Sequence, residues 1–197
     1  INSVGQPVFR EASEDRQRLQ NIFRKLMRFT AFVSFPAMLG LAIVSQELIV
    51  ISITEKWLPC VPVMQILCVW GAFMPISTLY SNLMNSIGRP NVYMWNTIAL
   101  GIFQLLCVWG SYPYGLNIML IVYTAANIFW LLIWHYFAHK HIGISLLNTL
   151  KDIAPYLIIS VAVMTFTYWV AGYVKNIYLS LLAKIALAAS LYIFLMW

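Results

Sequence analysis

The segment QELIVISITEKWLPCVP, residues 46–62, separates two long apolar stretches of the chain. The 18 positions between Arg28 and Glu47 contain no Asp, Glu, Lys or Arg, and neither do the 32 positions between Lys56 and Arg89. Each stretch is long enough for a spanning helix, because the hydrocarbon layer of a membrane needs about 20 largely apolar residues. The segment itself carries charges and a tryptophan, which favour the membrane–water interface. We therefore predict that it forms a hinge at the membrane surface between two spanning helices.

The composition places the whole chain in the membrane class. Of its 197 residues, 62% are hydrophobic and only 9% are charged, which leaves too few charges for the surface of a soluble domain of this size. The apolar stretches have the length of helices rather than of alternating barrel strands, and helices satisfy their own backbone polar groups in lipid. The sequence thus predicts an all-α integral membrane protein. Because it begins at Ile1 and ends within an apolar stretch at Trp197, we expect it to be a fragment of a longer protein.

The apolar stretches predict about six transmembrane helices. After Arg89, 50 consecutive residues lack Asp, Glu, Lys and Arg, which is too long for one span and suits two. The chain then divides into four segments. We predict a cytoplasmic amphipathic helix or loop over residues 1–28, four spans over 29–138, a cytoplasmic loop over 139–151 and two further spans over 152–197.

The cationic residues of the predicted loops lie mainly on one side of the membrane. Nine of them fall on one side and two on the other, while Lys184 lies near the start of the last span, from which it can snorkel outward. Cytoplasmic loops carry the excess of Lys and Arg, so residues 1–28 are predicted to be cytoplasmic and residues 46–62 external. This sorting also accounts for the formal charge of +6 without a nucleic-acid partner. The nine are Arg10, Arg16, Arg18, Arg24, Lys25, Arg28, Arg89, Lys140 and Lys151, and the two are Lys56 and Lys175.

Local signals predict where one helix begins and where two others bend. Ser13-Glu14-Asp15 combines a capping hydroxyl with acids at the positive end of a helix dipole, which is typical of a helix start. Pro36 and Pro75 lie in the middle of the first two spans, where proline kinks a helix. Broken helices of transporters often bend between states, so both prolines are candidate conformational hinges.

The sequence offers little for a catalytic or metal site. His135 and His139 share a helix face and could hold a metal, but no Glu or Cys accompanies them, so packing at the interface is the better interpretation. The chain has no nucleophile elbow and no glycine-rich phosphate loop. None of its six acidic residues lies well inside a predicted span. We therefore expect no catalytic residue, no metal and no cofactor.

Amide side chains inside the predicted spans are candidates for a polar path. Asn82, Asn85 and Gln104 must contact protein or a wet cavity, because lipid leaves them unsatisfied. Hydrogen bonding from helix to helix is the alternative role for each.

Several motifs follow one another in the order of a known family. Pro7-Val8-Phe9 and Ser13-Glu14-Asp15-Arg16 precede a span that contains proline. Next come Glu55-Lys56-Trp57-Leu58-Pro59-Cys60-Val61-Pro62 and a helix that closes on Ile87-Gly88-Arg89-Pro90. In these residues the chain resembles the Wzx-type polysaccharide or O-antigen flippases of lipopolysaccharide biosynthesis, a branch of the MOP exporter superfamily that also holds the MATE transporters.

The resemblance implies the C-terminal part of a MATE-like or MOP-like bundle with two lobes in the bacterial cytoplasmic (inner) membrane. Such proteins are thought to flip polyprenyl-pyrophosphate-linked oligosaccharide units by alternating access, with a cation gradient as the drive. The implied partners are the lipid-linked oligosaccharide, membrane lipids, and the glycan polymerase and chain-length machinery. Arg28 first, then Arg24 and Arg89, would meet the pyrophosphate near the cytoplasmic mouth. A positive-inside anchor is the alternative role for each arginine.

Other functions stay open at the level of sequence. A MATE-type multidrug or cation antiporter would share the fold. A membrane-bound glycan polymerase or acyltransferase would need a large external loop or an acid/base pair of the H-x-x-x-x-D type, and the chain has neither. A purely structural membrane subunit is the third possibility.

Overall fold

A computed structural model describes residue 9, residues 15–171 and residues 177–196 of the chain. We number the helices from the first one whose bounds it gives. They are α1 (Arg16–Ile43), α2 (Ser45–Ser52), α3 (Val61–Ser86), α4 (Pro90–Ser111), α5 (Leu116–Ile142), α6 (Leu146–Ala171) and α7 (Ile177–Met196). Short 3₁₀ helices at Glu55–Cys60 and Tyr112–Tyr114 lead into α3 and α5.

Six helices in the described ranges are long and apolar enough to cross a membrane, and these are all of the numbered ones except α2. Within those ranges the chain contains no β-strand. The predicted all-α membrane class and the predicted number of spans are therefore confirmed.

Helix α1 joins the predicted basic segment to the first predicted span. Helix α1 runs without a break for 28 residues, so the boundary expected after Arg28 lies inside a helix. Asp15 caps it, because its carboxylate accepts hydrogen bonds from the backbone N–H groups of Gln17 at 2.9 Å and Arg18 at 3.2 Å. Ser13, the predicted cap, lies outside the described residues. The basic segment is thus a direct extension of the first spanning helix.

The two predicted surface segments are more helical than the sequence indicated. Within residues 46–62 the chain forms most of α2 and then the 3₁₀ helix Glu55–Cys60, and residues 51–59 are exposed. Where a loop was predicted over residues 139–151, only residues 143–145 lie outside helices. Gly143 ends α5 in the left-handed conformation, with φ of 75°, which glycine adopts without steric cost.

The helices pack as neighbours in the order α7, α6, α1, α3, α5, α4. The main core lies between α1, α3 and α5 and contains Phe23, Phe35, Leu79 and Trp134. A smaller cluster of apolar side chains joins α6 to α7. Helix α3 approaches α1 closely at Gly71, where an added Cβ would collide with the side chain of Met38.

Both predicted hinge prolines lie inside helices that continue through them. Proline cannot donate to the carbonyl four residues earlier, and for Pro36 that carbonyl belongs to Phe32. The hydroxyl of Tyr192 on α7 donates to it at 2.8 Å, so a neighbouring helix replaces the missing backbone donor. Near Pro75, the Ser34 hydroxyl of α1 donates to the Ala72 carbonyl at 2.7 Å. Whether these helices bend during a functional cycle remains a prediction.

Candidate functional site

A row of donor side chains along α1 forms hydrogen bonds with the junction between α5 and α6. Arg16, Gln20, Arg24 and Arg28 are spaced four residues apart and therefore share one face of the helix. Arg16 Nε donates to the carbonyl of Ile142 at 3.1 Å, and Gln20 Nε2 donates to the same carbonyl. This half of the row holds the last carbonyl of α5.

The other half of the row binds one carboxylate. Arg24 Nε donates to Asp152 Oδ2 at 2.6 Å and Arg24 Nη2 donates to Oδ1 at 3.1 Å. Arg28 Nε lies 2.7 Å from Oδ1 of the same residue. The Asp152 side chain is 3% exposed, whereas those of Arg24 and Arg28 are 32% and 51% exposed. A buried carboxylate thus neutralises one of two cations, and the cluster keeps a net charge of +1.

This contact changes the ranking of the predicted mouth cations. Arg24 and Arg28 lie close together, but both already form ion pairs with Asp152 on α6. Arg89 lies elsewhere, exposed at the start of α4, and within the described ranges no carboxylate forms an ion pair with it. The i, i+4 spacing of the row was visible in the sequence, whereas the pairing with Asp152 required the packing of α1 on α6.

A polar groove runs along one face of α3. Its volume is about 410 Å³, and it includes both predicted asparagines, of which Asn82 is buried and Asn85 is half-buried. The lining residues share one face of α3 because they recur every three or four positions. They are Trp70, Met74, Ser77, Thr78, Ser81, Asn82 and Asn85 of α3, together with Tyr93 of α4.

Gln104 lies away from this groove. Its Nε2 donates to Asn127 Oδ1 at 2.8 Å, and Asn127 Nδ2 donates in turn to the Tyr123 carbonyl at 2.8 Å. The pair connects α4 to α5, which is the helix-to-helix role that the sequence left open for this residue.

Histidines of α5 make contacts within the protein. Nδ1 of His135 lies 3.1 Å from the Tyr80 hydroxyl, and Nδ1 of His139 lies 2.8 Å from the Ile144 carbonyl. In the described part of the chain, no three His, Cys, Asp or Glu residues are grouped so that they could hold a metal ion.

A second buried ion pair joins α2 to α7. Lys184 Nζ donates to Glu47 Oε1 and, at 3.3 Å, to the Ile43 carbonyl, while the Ser180 hydroxyl donates to Glu47 Oε1 at 2.9 Å. The two charged side chains are 8% and 10% exposed. The prediction that Lys184 snorkels outward is therefore wrong, because a carboxylate from another helix satisfies it inside the protein.

The charge state of Glu47 follows from these contacts. Glu47 belongs to the short helix α2, between the first two candidate spans. Burial alone would raise the pKa of its carboxyl group, but hydrogen bonds from Lys184, from its own backbone and from Ser180 outweigh burial and lower the pKa. Glu47 is thus a carboxylate held by a buried ammonium group.

Known proteins resemble part of this chain. The sequence profile of the family described as "Polysaccharide biosynthesis protein" matches residues 1–62. Over 104 residues, or 52% of the chain, it is 30% identical to the "Uncharacterized membrane protein in cps region" of Klebsiella pneumoniae. It is also 30% identical over 104 residues to the "Lipopolysaccharide biosynthesis protein WzxC" of Escherichia coli K12.

A relative from Bacillus subtilis extends the comparison. The chain is 25% identical over 104 residues to the "Teichuronic acid biosynthesis protein TuaB". The matched stretch covers 21% of the length of the first two relatives and 22% of the third. No solved structure matches the chain.

These similarities agree with the motifs and with the fold. The family profile covers the motifs of residues 7–16 and 55–62 but not that of residues 87–90, and the six apolar helices fit a multi-pass protein of the bacterial cytoplasmic membrane. The comparisons thus confirm the resemblance of this chain to the polysaccharide biosynthesis family of bacterial membrane proteins.

Proposed function

We propose that the protein containing this chain takes part in surface polysaccharide biosynthesis by flipping polyprenyl-pyrophosphate-linked oligosaccharide units across the cytoplasmic membrane. Its relatives are named for lipopolysaccharide and teichuronic acid biosynthesis, which supports the pathway class. The polar groove of the chain supports translocation as its step in that pathway. Transport by alternating access, rather than catalysis, is the mechanism that we propose.

The polar groove on α3 is the observation that carries this proposal. Hydroxyl and amide groups line it, although α3 is one of the six candidate spans. Lipid gives such groups no hydrogen-bond partners, so polar residues at membrane depth normally face protein or a water-filled path. A polar path along a spanning helix is what a hydrophilic cargo requires.

Arg89 is the best candidate to meet the pyrophosphate. It follows the last groove residue, Asn85, by four positions and is exposed. Arginine binds phosphate oxygens through its forked N–H groups, and no carboxylate of the described residues pairs with Arg89. Arg24 and Arg28 would first have to release Asp152, so we assign them mainly to holding α1 against α6.

An experiment in the native host tests the proposal. The full-length gene is deleted, and surface glycan is measured together with lipid-linked repeat units on the cytoplasmic leaflet. We expect loss of surface glycan and accumulation of the units inside. Wild type and the control Arg18→Gln should restore export, since Arg18 is an exposed cation of α1 that does not line the groove. At equal protein levels, Arg89→Gln should restore export poorly.

Two results would contradict the proposal. Normal translocation with short, unpolymerised surface chains would indicate an assembly enzyme. Unchanged surface glycan after deletion would instead favour an exporter of drugs or other small cations.

A further inference from the structure

We infer that the groove on α3 is a binding site for the uncharged part of a saccharide chain. This inference rests on the proposed function, because it assigns the part of the cargo that the groove holds. The anionic pyrophosphate would lie outside the groove, on the side of Arg89.

The groove has the polar groups of a carbohydrate site. Ser77, Thr78 and Ser81 supply hydroxyls, and the half-buried Asn85 supplies an amide. The Thr78 hydroxyl donates to the Met74 carbonyl at 3.0 Å and the Ser81 hydroxyl donates to the Ser77 carbonyl at 3.1 Å. Both oxygens can still accept hydrogen bonds, which suits the many O–H donors of a sugar.

Aromatic rings complete this chemistry. Trp70 lines the groove from α3 and Tyr93 lines it from α4. A flat ring with a polar edge gives the apolar C–H face of a sugar a surface to pack on while its hydroxyls stay in hydrogen-bonding reach. The combination of rings, hydroxyls and amides therefore fits a saccharide better than it fits a lipid tail.

The absence of formal charge in the lining limits the ligand class. None of the eight lining residues is Asp, Glu, Lys or Arg. An anionic sugar or a phosphate would enter without a counter-charge and would lose part of its hydration, which is costly. A cationic drug would find no carboxylate there either. The lining therefore favours neutral sugar units.

The lining residues are spread along α3, which suits an extended chain better than a single ring. From Trp70 to Asn85 the lining spans fifteen helical steps, or about 22 Å at the rise of an α-helix. Its volume of about 410 Å³ lies within the range of about 300–1,000 Å³ that is usual for small-molecule sites. We therefore expect successive sugar rings to lie along α3.

Saturation-transfer NMR on the full-length protein in lipid nanodiscs tests this assignment. The probes are cellobiose, a neutral disaccharide, and cellobiouronic acid, which adds one carboxylate. We expect saturable transfer to cellobiose and weaker transfer to the acid. Thr78→Val and Asn85→Leu should each weaken binding of cellobiose about two- to tenfold, because each removes about one hydrogen bond to the sugar.

Thr97→Val is the matched control. Thr97 is an exposed threonine of α4 whose hydroxyl donates to the Tyr93 carbonyl at 2.8 Å, as Thr78 donates to Met74, but it does not line the groove. Thr97→Val should bind cellobiose as wild type does. Equal losses in Thr78→Val and Thr97→Val, equal binding of the acid, or no saturable binding to wild type would each overturn the inference.

The outcome also separates this inference from the proposed function. Groove-dependent binding of cellobiose without any flipping of a lipid-linked saccharide would leave the site standing and refute the flippase. Flipping that is unaffected by Thr78→Val and Asn85→Leu, together with unchanged binding, would refute the site alone.

Discussion

The ion pair between Glu47 and Lys184 gives a sharp prediction for the stability of the bundle. It links α2, just after the first span, to α7, the last helix in the described residues. Both side chains are at most 10% exposed, so water cannot replace either partner. The perturbation is therefore a double-mutant cycle with Glu47→Leu, Lys184→Met and the combined variant.

The burial of both charges sets the expected magnitude. Lys184→Met leaves a buried carboxylate with Ser180 as its remaining side-chain donor, and Glu47→Leu leaves the ammonium group with the Ile43 carbonyl. Removing one partner of a buried pair costs about 3–5 kcal/mol, while replacing both by apolar residues of similar volume is often close to neutral. The double variant should thus recover most of the loss of either single variant.

The assay is unfolding in mixed micelles at increasing SDS fraction, followed by far-ultraviolet circular dichroism. The free energies of unfolding of the four proteins give the coupling energy. Single variants that each lose less than about 1 kcal/mol would refute the reasoning, since that is the range of exposed pairs. Strictly additive losses in the double variant would refute it as well.

Three further predictions use the same unfolding measurement. Asp152→Asn should lower the free energy of unfolding by about 1–2 kcal/mol, less than breaking the Glu47 pair, because water can partly solvate the two half-exposed arginines. The control Arg18→Ala should change it by no more than about 0.5 kcal/mol. An equally small effect of Asp152→Asn would contradict the contact. Gly143→Ala should destabilise the protein by about 1–2 kcal/mol, since the φ of Gly143 is 75° and the new Cβ would lie 2.8 Å from an arginine nitrogen. The control Gly101→Ala has open space around it and should be neutral or stabilising by up to about 1 kcal/mol. Equal effects of the two substitutions would refute this prediction. Because the folded-state pKa of Glu47 is lowered, its contribution to the free energy of unfolding is complete above the unfolded-state pKa of about 4.3 and is lost as the pH falls through the folded-state pKa. A difference in unfolding free energy between wild type and Glu47→Gln that stays constant down to pH 3 would argue against this.

Hydropathy and chain length were enough to predict the membrane class and the spans. Lipid imposes one strong condition, which is that the backbone polar groups of a spanning segment are satisfied without water. The long apolar helices that meet this condition here are visible residue by residue in the sequence. Helix ends were less predictable. The loop expected over residues 139–151 is helical except at residues 143–145, because polar residues at a membrane surface can continue a helix as easily as end it.

The partners of charged residues could not be predicted from the sequence. Asp152 and Arg24 are 128 positions apart, and Glu47 and Lys184 are 137 apart. Such pairs form only when α1 packs against α6 and α2 against α7, and hydropathy carries no information about which helices are neighbours. For this reason the sequence predicted that Lys184 snorkels outward, whereas the structure pairs it with the buried Glu47.

The groove was partly predictable. Asn82 and Asn85 were identified as polar residues inside a span, and both line it. Gln104 carried the same signal but faces Asn127 on the next helix. Amides in a spanning helix indicate that a partner exists, and only the packing shows whether that partner is a neighbouring helix or a groove.

Translocation itself is best measured in proteoliposomes. The purified full-length protein is reconstituted with a lipid-linked neutral oligosaccharide, and an impermeant glycosidase added outside reports the fraction of saccharide exposed in the outer leaflet. If the protein is a flippase, the protected fraction will become cleavable at a rate that rises with protein density, is slowed by Asn85→Leu and is unchanged by Thr97→Val. A protected fraction that persists as in protein-free vesicles would contradict a role in flipping.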